Sequence, residues 1–181
     1  MLYNLLVPLS DDYQIFNLFR YLTFRTGGAI MTALLIGFVL GPWLIDWLRS
    51  KQREGQPIRE DGPESHLLTK KGTPTMGGLL ILIALSVSTL LWADLSNGFI
   101  WAVLVVTGGF GLLGFADDFL KLTKRNTKGL PGKIKLLGQV AISIVAVLMI
   151  QDSMPANLAN GLAVPFFKDV LIDLGWFFAP F

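Results

Sequence analysis

The chain has 181 residues, of which 52% are hydrophobic and 15% charged, whereas soluble domains carry about 25% charged residues; this composition excludes an ordinary soluble globule and a disordered chain and points to a membrane protein. Fifteen basic residues against thirteen acidic ones give a net charge of +2, too balanced for a protein that binds nucleic acid by neutralising many phosphates. With no cysteine, disulfides, a thiolate nucleophile and a cysteine-bound zinc are excluded.

The first 25 residues do not read as a signal peptide, because a basic start is missing and the apolar stretch from Leu2 to Leu9 is broken by Asn4 and Pro8. Phe16, Phe19, Tyr21 and Phe24, with Arg20 and Arg25, predict an amphipathic segment in the membrane interface; a disordered arm is the alternative. A hydrocarbon core of roughly 30 Å takes about 20 helical residues. Uncharged runs of that order fill 27–45, 72–93 and 95–116, and a shorter one at 136–151 extends to Ile134 if Lys135 snorkels. Spans are therefore expected at about 27–48, 72–93, 95–117 and 134–151, with a fifth starting at 170 and cut off at Phe181. The expected fold is all-α, a polytopic transmembrane helical bundle of four complete spans plus a truncated fifth. Gly108, Gly111 and Gly114 recur in the third span and suggest one close-packing face.

Orientation follows from the basic residues, which mark cytoplasmic loops. Arg49, Lys51, Arg53, Arg59, Lys70 and Lys71 precede the second span, and Lys121, Lys124, Arg125, Lys128, Lys133 and Lys135 surround the loop before the fourth. Loops 49–71 and 118–133 are thus expected inside and the N-terminus outside.

Asp117 and Asp118 follow a long uncharged run and precede a basic loop. A carboxylate at that depth is costly without a partner, so the pair is read as functional, with hard oxygen donors for Mg²⁺ and lysines for phosphate nearby. The plainer reading is a loop salt bridge to Lys121 or Lys124. Consecutive helical residues diverge by about 100°, so separate roles are expected for the two acids, and Lys121 at i+3 and i+4 shares their face. The run Lys70-Lys71-Gly72-Thr73-Pro74-Thr75-Met76-Gly77-Gly78 reads either as an anion site at a helix N-terminus or as a capped helix with solvated lysines. His66, the single histidine, is read as a solvated loop residue with substrate contact as the minor alternative, since one histidine makes no zinc site. Asp46 is expected to pair with Arg49. Lys133 and Lys135 are read as lipid-phosphate ligands or helix anchors.

Asp61 to His66, Lys70 to Gly78, Gly114 to Asp118, Thr127 to Leu130 and Val164 to Lys168 together resemble, in order and spacing, the phospho-N-acetylmuramoyl-pentapeptide transferases of the polyprenyl-phosphate N-acetylhexosamine-1-phosphate transferase superfamily. The resemblance implies a Mg²⁺-dependent enzyme of the bacterial inner membrane. It would transfer phospho-MurNAc-pentapeptide from UDP-MurNAc-pentapeptide to undecaprenyl phosphate, giving lipid I and UMP in peptidoglycan synthesis. It further implies a ten-helix fold, often dimeric, with Asp117 and Asp118 as catalytic and metal-site residues and Lys70, Thr75, Lys121 and Lys133 as substrate-binding ones. Such enzymes run to roughly twice this length, and their later Asp and His motifs are absent here. The chain is accordingly read as the N-terminal half, incomplete for activity by itself. A related UDP-GlcNAc transferase and a noncatalytic membrane scaffold are the alternatives.

Overall fold

The computed structural model describes residues 1–52, 75–124, 129–155, 158–163 and 171–178. Among the described residues five α-helices follow in order: α1 (Leu2–Leu6), α2 (Leu22–Lys51), α3 (Gly78–Trp92), α4 (Gly98–Lys124) and α5 (Gly132–Ser153). Short 3-10 turns at Pro8–Asp11 and Gln14–Arg20 complete the N-terminal arm. The chain is a multi-pass helical membrane protein: α2, α4 and α5 are each long and apolar enough to cross a bilayer, and α3 is a shorter apolar helix.

At about 1.5 Å per residue, the 30 residues of α2 extend about 45 Å, more than the roughly 30 Å of hydrocarbon. Its last turn, with Arg49 and Lys51, therefore projects to headgroup level, where cations also complement the helix C-terminus. Pro42 lies inside α2 and leaves the carbonyl four residues earlier without its helical donor, a loss membrane helices tolerate when neighbours or local adjustment compensate. The second helix starts later than the apolar run suggests. Met76 adopts φ 73° and turns the chain, so α3 begins only at Gly78; residues 72–74 lie outside the described residues.

Packing proceeds in chain order, α2 against α3, α3 against α4, and α4 against α5. The α4–α5 contact is reciprocal. A Cβ added to Gly109 would stand 2.9 Å from Ile142, and one added to Gly138 would stand 2.8 Å from Leu113. On another face of α4, Gly111 receives Leu82 of α3. Gly108 and Gly114 have nothing within 4 Å of such a Cβ, so the expected stripe of three is corrected. A three-residue repeat drifts around a helix of 3.6 residues per turn, and the close approaches fall where neighbours press from two sides.

At the end of the bundle opposite the acidic pair, the N-terminal arm is fastened down. The N-terminal ammonium donates to the carbonyls of Leu90 (2.8 Å) and Ala93 (3.1 Å), and desolvation there lowers its pKa. The Asn4 amide donates to Asp94 and its oxygen accepts from the Leu95 N–H, each at 3.0 Å. The Arg25 guanidinium lies 4.4 Å over the Tyr3 ring. Phe19 stacks on Trp92, whose indole N–H donates to Thr32 at 2.9 Å. The Ser96 hydroxyl above all, then the Ser96 N–H, the Asn4 amide and the Arg25 charge, hold the Asp94 carboxyl below the usual carboxylate range.

After α5, β1 (Gly161–Ala163) pairs antiparallel with β2 (Leu171–Asp173), Leu162 opposite Ile172. A 3-10 turn at Gly175–Phe178 follows. This differs from the helix start expected at 170. The Asp173 carboxylate accepts the Gly175 N–H at 2.9 Å, and Gly175 takes φ 51°, a local turn that competes with helical backbone bonding.

Candidate functional site

The described polar residues converge where the basic ends of α2 and α4 meet the starts of α3 and α5. Asp117 and Asp118 sit on α4, seven and six residues before its last residue, Lys124. As helical divergence requires, the two carboxylates turn to different partners.

Asp117 is buried, with 9% of its surface exposed. Its Oδ2 lies 2.7 Å from the Lys121 ammonium and 3.7 Å from that of Lys135 on α5. Its Oδ1 accepts the Leu130 N–H at 2.8 Å. One carboxylate thus faces two ammonium groups and a backbone amide, enough to offset the cost of keeping its charge away from water. The amide reaches it because of Gly129, whose φ of 56° lies in the left-handed region. A side chain there would collide with Asp117 and with Lys121, so the segment can lie against the carboxylate only with glycine in place.

Asp118 is more open, its side chain 32% exposed. Its Oδ2 accepts the Thr75 hydroxyl at 3.0 Å, and its Oδ1 lies 3.5 Å from Lys121. Thr75 is itself held by Gln52, the residue after α2. The Gln52 amide donates to the Thr75 carbonyl at 3.2 Å and its oxygen accepts the Thr75 N–H at 2.8 Å. A connected set therefore runs from Gln52 through Thr75, Asp118, Lys121 and Asp117 to Lys135 and Leu130.

Of the residues expected at a site, Asp117, Asp118, Lys121 and Thr75 come together. Lys133 is exposed in the first turn of α5 and is not joined to this set; two positions on, Lys135 faces Asp117 instead. Lys70, with Lys71, Thr73, Pro74 and the Asp61 to His66 run, lies outside the described residues. Asp46 pairs with Arg49 at 3.7 Å, with both side chains largely exposed. Sequence reading missed Gln52 and gave Lys135 only an anchoring or lipid-binding role. The available signal for Lys135 was a charge interrupting the apolar sequence Ile134 to Leu137, which implies a partner. Nothing in the sequence marks Gln52.

Among the described residues no group of three or more His, Asp or Glu side chains could enclose a metal ion. Asp118 alone of the pair has lone pairs open to a cation or its waters. Both oxygens of Asp117 are committed to donors. The set is electrically balanced, two carboxylates against two ammoniums.

Comparison with known proteins places these residues in a family context. Residues 70–82, which include Thr75, match phospho-N-acetylmuramoyl-pentapeptide-transferase signature 1. Over its whole length the chain is 62% identical to a phospho-N-acetylmuramoyl-pentapeptide-transferase of Granulibacter bethesdensis, covering 50% of that protein. It is 53% identical to the protein of the same name from Maricaulis maris, covering 51%. The chain spans about half the length of these curated relatives.

Proposed function

We propose that this chain, which belongs to the phospho-N-acetylmuramoyl-pentapeptide transferase family, contributes the acidic and basic half of a site that transfers phospho-MurNAc-pentapeptide from UDP-MurNAc-pentapeptide to undecaprenyl phosphate. The observation that carries this reading is the hydrogen bond from Thr75 to Asp118. It joins the signature segment at the start of α3 to the acidic pair near the end of α4, so that two separate motifs form one polar site.

In this reading an oxygen of the lipid phosphate attacks the β-phosphorus of the nucleotide sugar. The bond between β-phosphorus and the bridging oxygen breaks, and UMP leaves with that oxygen. Such a transfer needs alignment and neutralisation of charge more than covalent help. The attacking phosphate monoester, with a second pKa of about 6, is already mostly ionised near neutrality, so it requires no strong base. Asp117, paired with two lysines, serves to hold Lys121 and Lys135 for incoming phosphate oxygens. Asp118 contacts a substrate phosphate or its cation. Lys70 and Lys133 supply further phosphate contacts.

Mg²⁺ accepts one or two carboxylates completed by phosphates and water, a donor set that Asp118 fits and Asp117 does not. When bound it would neutralise charge on the diphosphate. The site faces the cytoplasm of the bacterial inner membrane, with the N-terminal arm on the outer side, because the basic residues gather at the site's end of the helices.

The test is release of UMP and formation of the lipid-linked product from UDP-MurNAc-pentapeptide and undecaprenyl phosphate. It is run with the chain alone and with the remaining half of a relative supplied. Product dependent on this chain, and reduced at least about a hundredfold by Asp117→Asn or Asp118→Asn, is expected. Membrane insertion without product in either arrangement, or product from UDP-GlcNAc in preference, would overturn the assignment.

A further inference from the structure

We propose that Gln52 is a positioning residue for the acidic pair: it touches neither carboxylate, but it holds Thr75 so that the Thr75 hydroxyl stays on Asp118. Gln52 ends α2, its own N–H bonded to the Leu48 carbonyl at 2.9 Å. Its carboxamide meets both backbone polar groups of Thr75, donating at 3.2 Å and accepting at 2.8 Å. Two antiparallel bonds between planar groups fix rotation as well as distance, which one bond does not. On the other side of Thr75, the chain turns through Met76 at φ 73°, an uncommon conformation for a residue with a side chain. Such a turn persists when its surroundings over-determine it, and the Gln52 contact is the surrounding tie next to it. With the Thr75 backbone held, its hydroxyl meets Asp118 Oδ2 at 3.0 Å. The orientation of Asp118 on α4 is thereby set from the end of α2.

The consequence for turnover rests on the transfer reading, but the positioning itself does not. It is tested on the full chain in nanodiscs by water-soluble carbodiimide labelling of carboxylates, quantified at Asp118 by mass spectrometry. Gln52→Ala is expected to raise the Asp118 labelling rate about fivefold, the scale of one lost hydrogen bond. Thr75→Val should do the same, and the double variant should exceed Thr75→Val by nothing, because Gln52 acts through Thr75. Gln52→Glu keeps the acceptor for the Thr75 N–H and should fall between wild type and Gln52→Ala. Unchanged helix content and tryptophan emission identify folded variants; if Gln52→Ala does not fold, amide exchange at Thr75 in the Glu variant reads the same contact. Asp118 labelling in Gln52→Ala equal to wild type, or additive in the double variant, overturns the proposal. In transfer assays the alanine variant should lose kcat at constant KM for the nucleotide sugar. The expected labelling pattern in a wild-type chain that supports no transfer would remove the transfer reading and leave the positioning role standing.

Discussion

Substituting alanine at Gly129 tests how the buried carboxylate is held. The added Cβ would overlap Asp117 Oδ1, and it would stand 2.9 Å from Lys121 Cε and 3.0 Å from Asp117 Cγ. The residue also sits at φ 56°, where a side chain costs roughly 1–2 kcal/mol. Relief of the overlap requires the 129–130 backbone to withdraw, which breaks the Leu130 N–H bond to a charged acceptor, a loss of about 1.5–3 kcal/mol. The two costs together come to roughly 2.5–5 kcal/mol. At about 2–4 °C per kcal/mol for a chain of this size, the unfolding midpoint should fall by roughly 5–20 °C. Tryptophan fluorescence during heating of the purified protein in detergent measures it. Gly132→Ala is the matched control, since nothing lies within 4 Å of its Cβ and its φ is not positive. If Gly129→Ala melts within 2 °C of wild type on the order-of-magnitude scale above, the amide contact does not hold Asp117 in the membrane-embedded protein.

Lys121→Met should destabilise by roughly 2–4 kcal/mol, because it strips the nearest cation from a carboxylate whose side chain is only 12% exposed. Lys135→Met, more exposed and at 3.7 Å, should cost under about 1 kcal/mol, and denaturant titration of the two variants compares them. Gly138→Val should cost about 1–3 kcal/mol by forcing Leu113 aside, while Gly114→Ala, facing open space, should fall within about 0.5 kcal/mol of wild type on the same titration. Asp94 has a folded pKa below its unfolded one. Its contribution is therefore present above the unfolded value of about 3.9 and is lost as pH falls through the lower folded value. Protection of the Leu95 amide, measured by hydrogen exchange, should drop in that acidic window, and Asp94→Asn should remove the step.

The helices were legible because a bilayer imposes a length on apolar runs, and the acids with Lys121 because charge after such a run, at helical spacing, has few interpretations. The late start of α3 was hidden by composition: Met76 and Gly77 are as compatible with a helix as with the turn they make, and φ at Met76 is decided by what its neighbours bond. The Gly108, Gly111 and Gly114 stripe failed because one helix's periodicity does not tell which faces its neighbours occupy. Gln52 was illegible for a related reason. Its contact with Thr75 spans 23 positions, and a neutral carboxamide carries neither a charge nor a hydropathy signal. The β1–β2 pairing escaped because Leu171 and Ile172 suit a strand or an apolar helix equally, and the Asp173–Gly175 bond decides between them.

Under the proposed phosphoryl transfer, the placement of Lys135 bears on why an acidic pair would stand among lysines meant for phosphate. Two ammonium groups near the hydrocarbon boundary with no anion would each favour escape to water. Asp117 holds both near one point before any ligand arrives. In the proposed transfer, a diphosphate would then take over lysine donors without carrying the whole cost of gathering them, which is the advantage of a preorganised site. Asp117→Asn separates this role from that of a proton acceptor. The amide can still accept from Leu130 and keeps nearly the same shape, so a base role predicts loss of kcat with substrate affinity intact. Gathering lysines predicts weaker binding of the nucleotide sugar, deepening as ionic strength rises because the remaining attraction is screened. Calorimetric titration of UDP-MurNAc-pentapeptide at low and high salt, with this chain completed by the remaining half of a relative, distinguishes them: unchanged affinity at both would refute the lysine-holding role of Asp117.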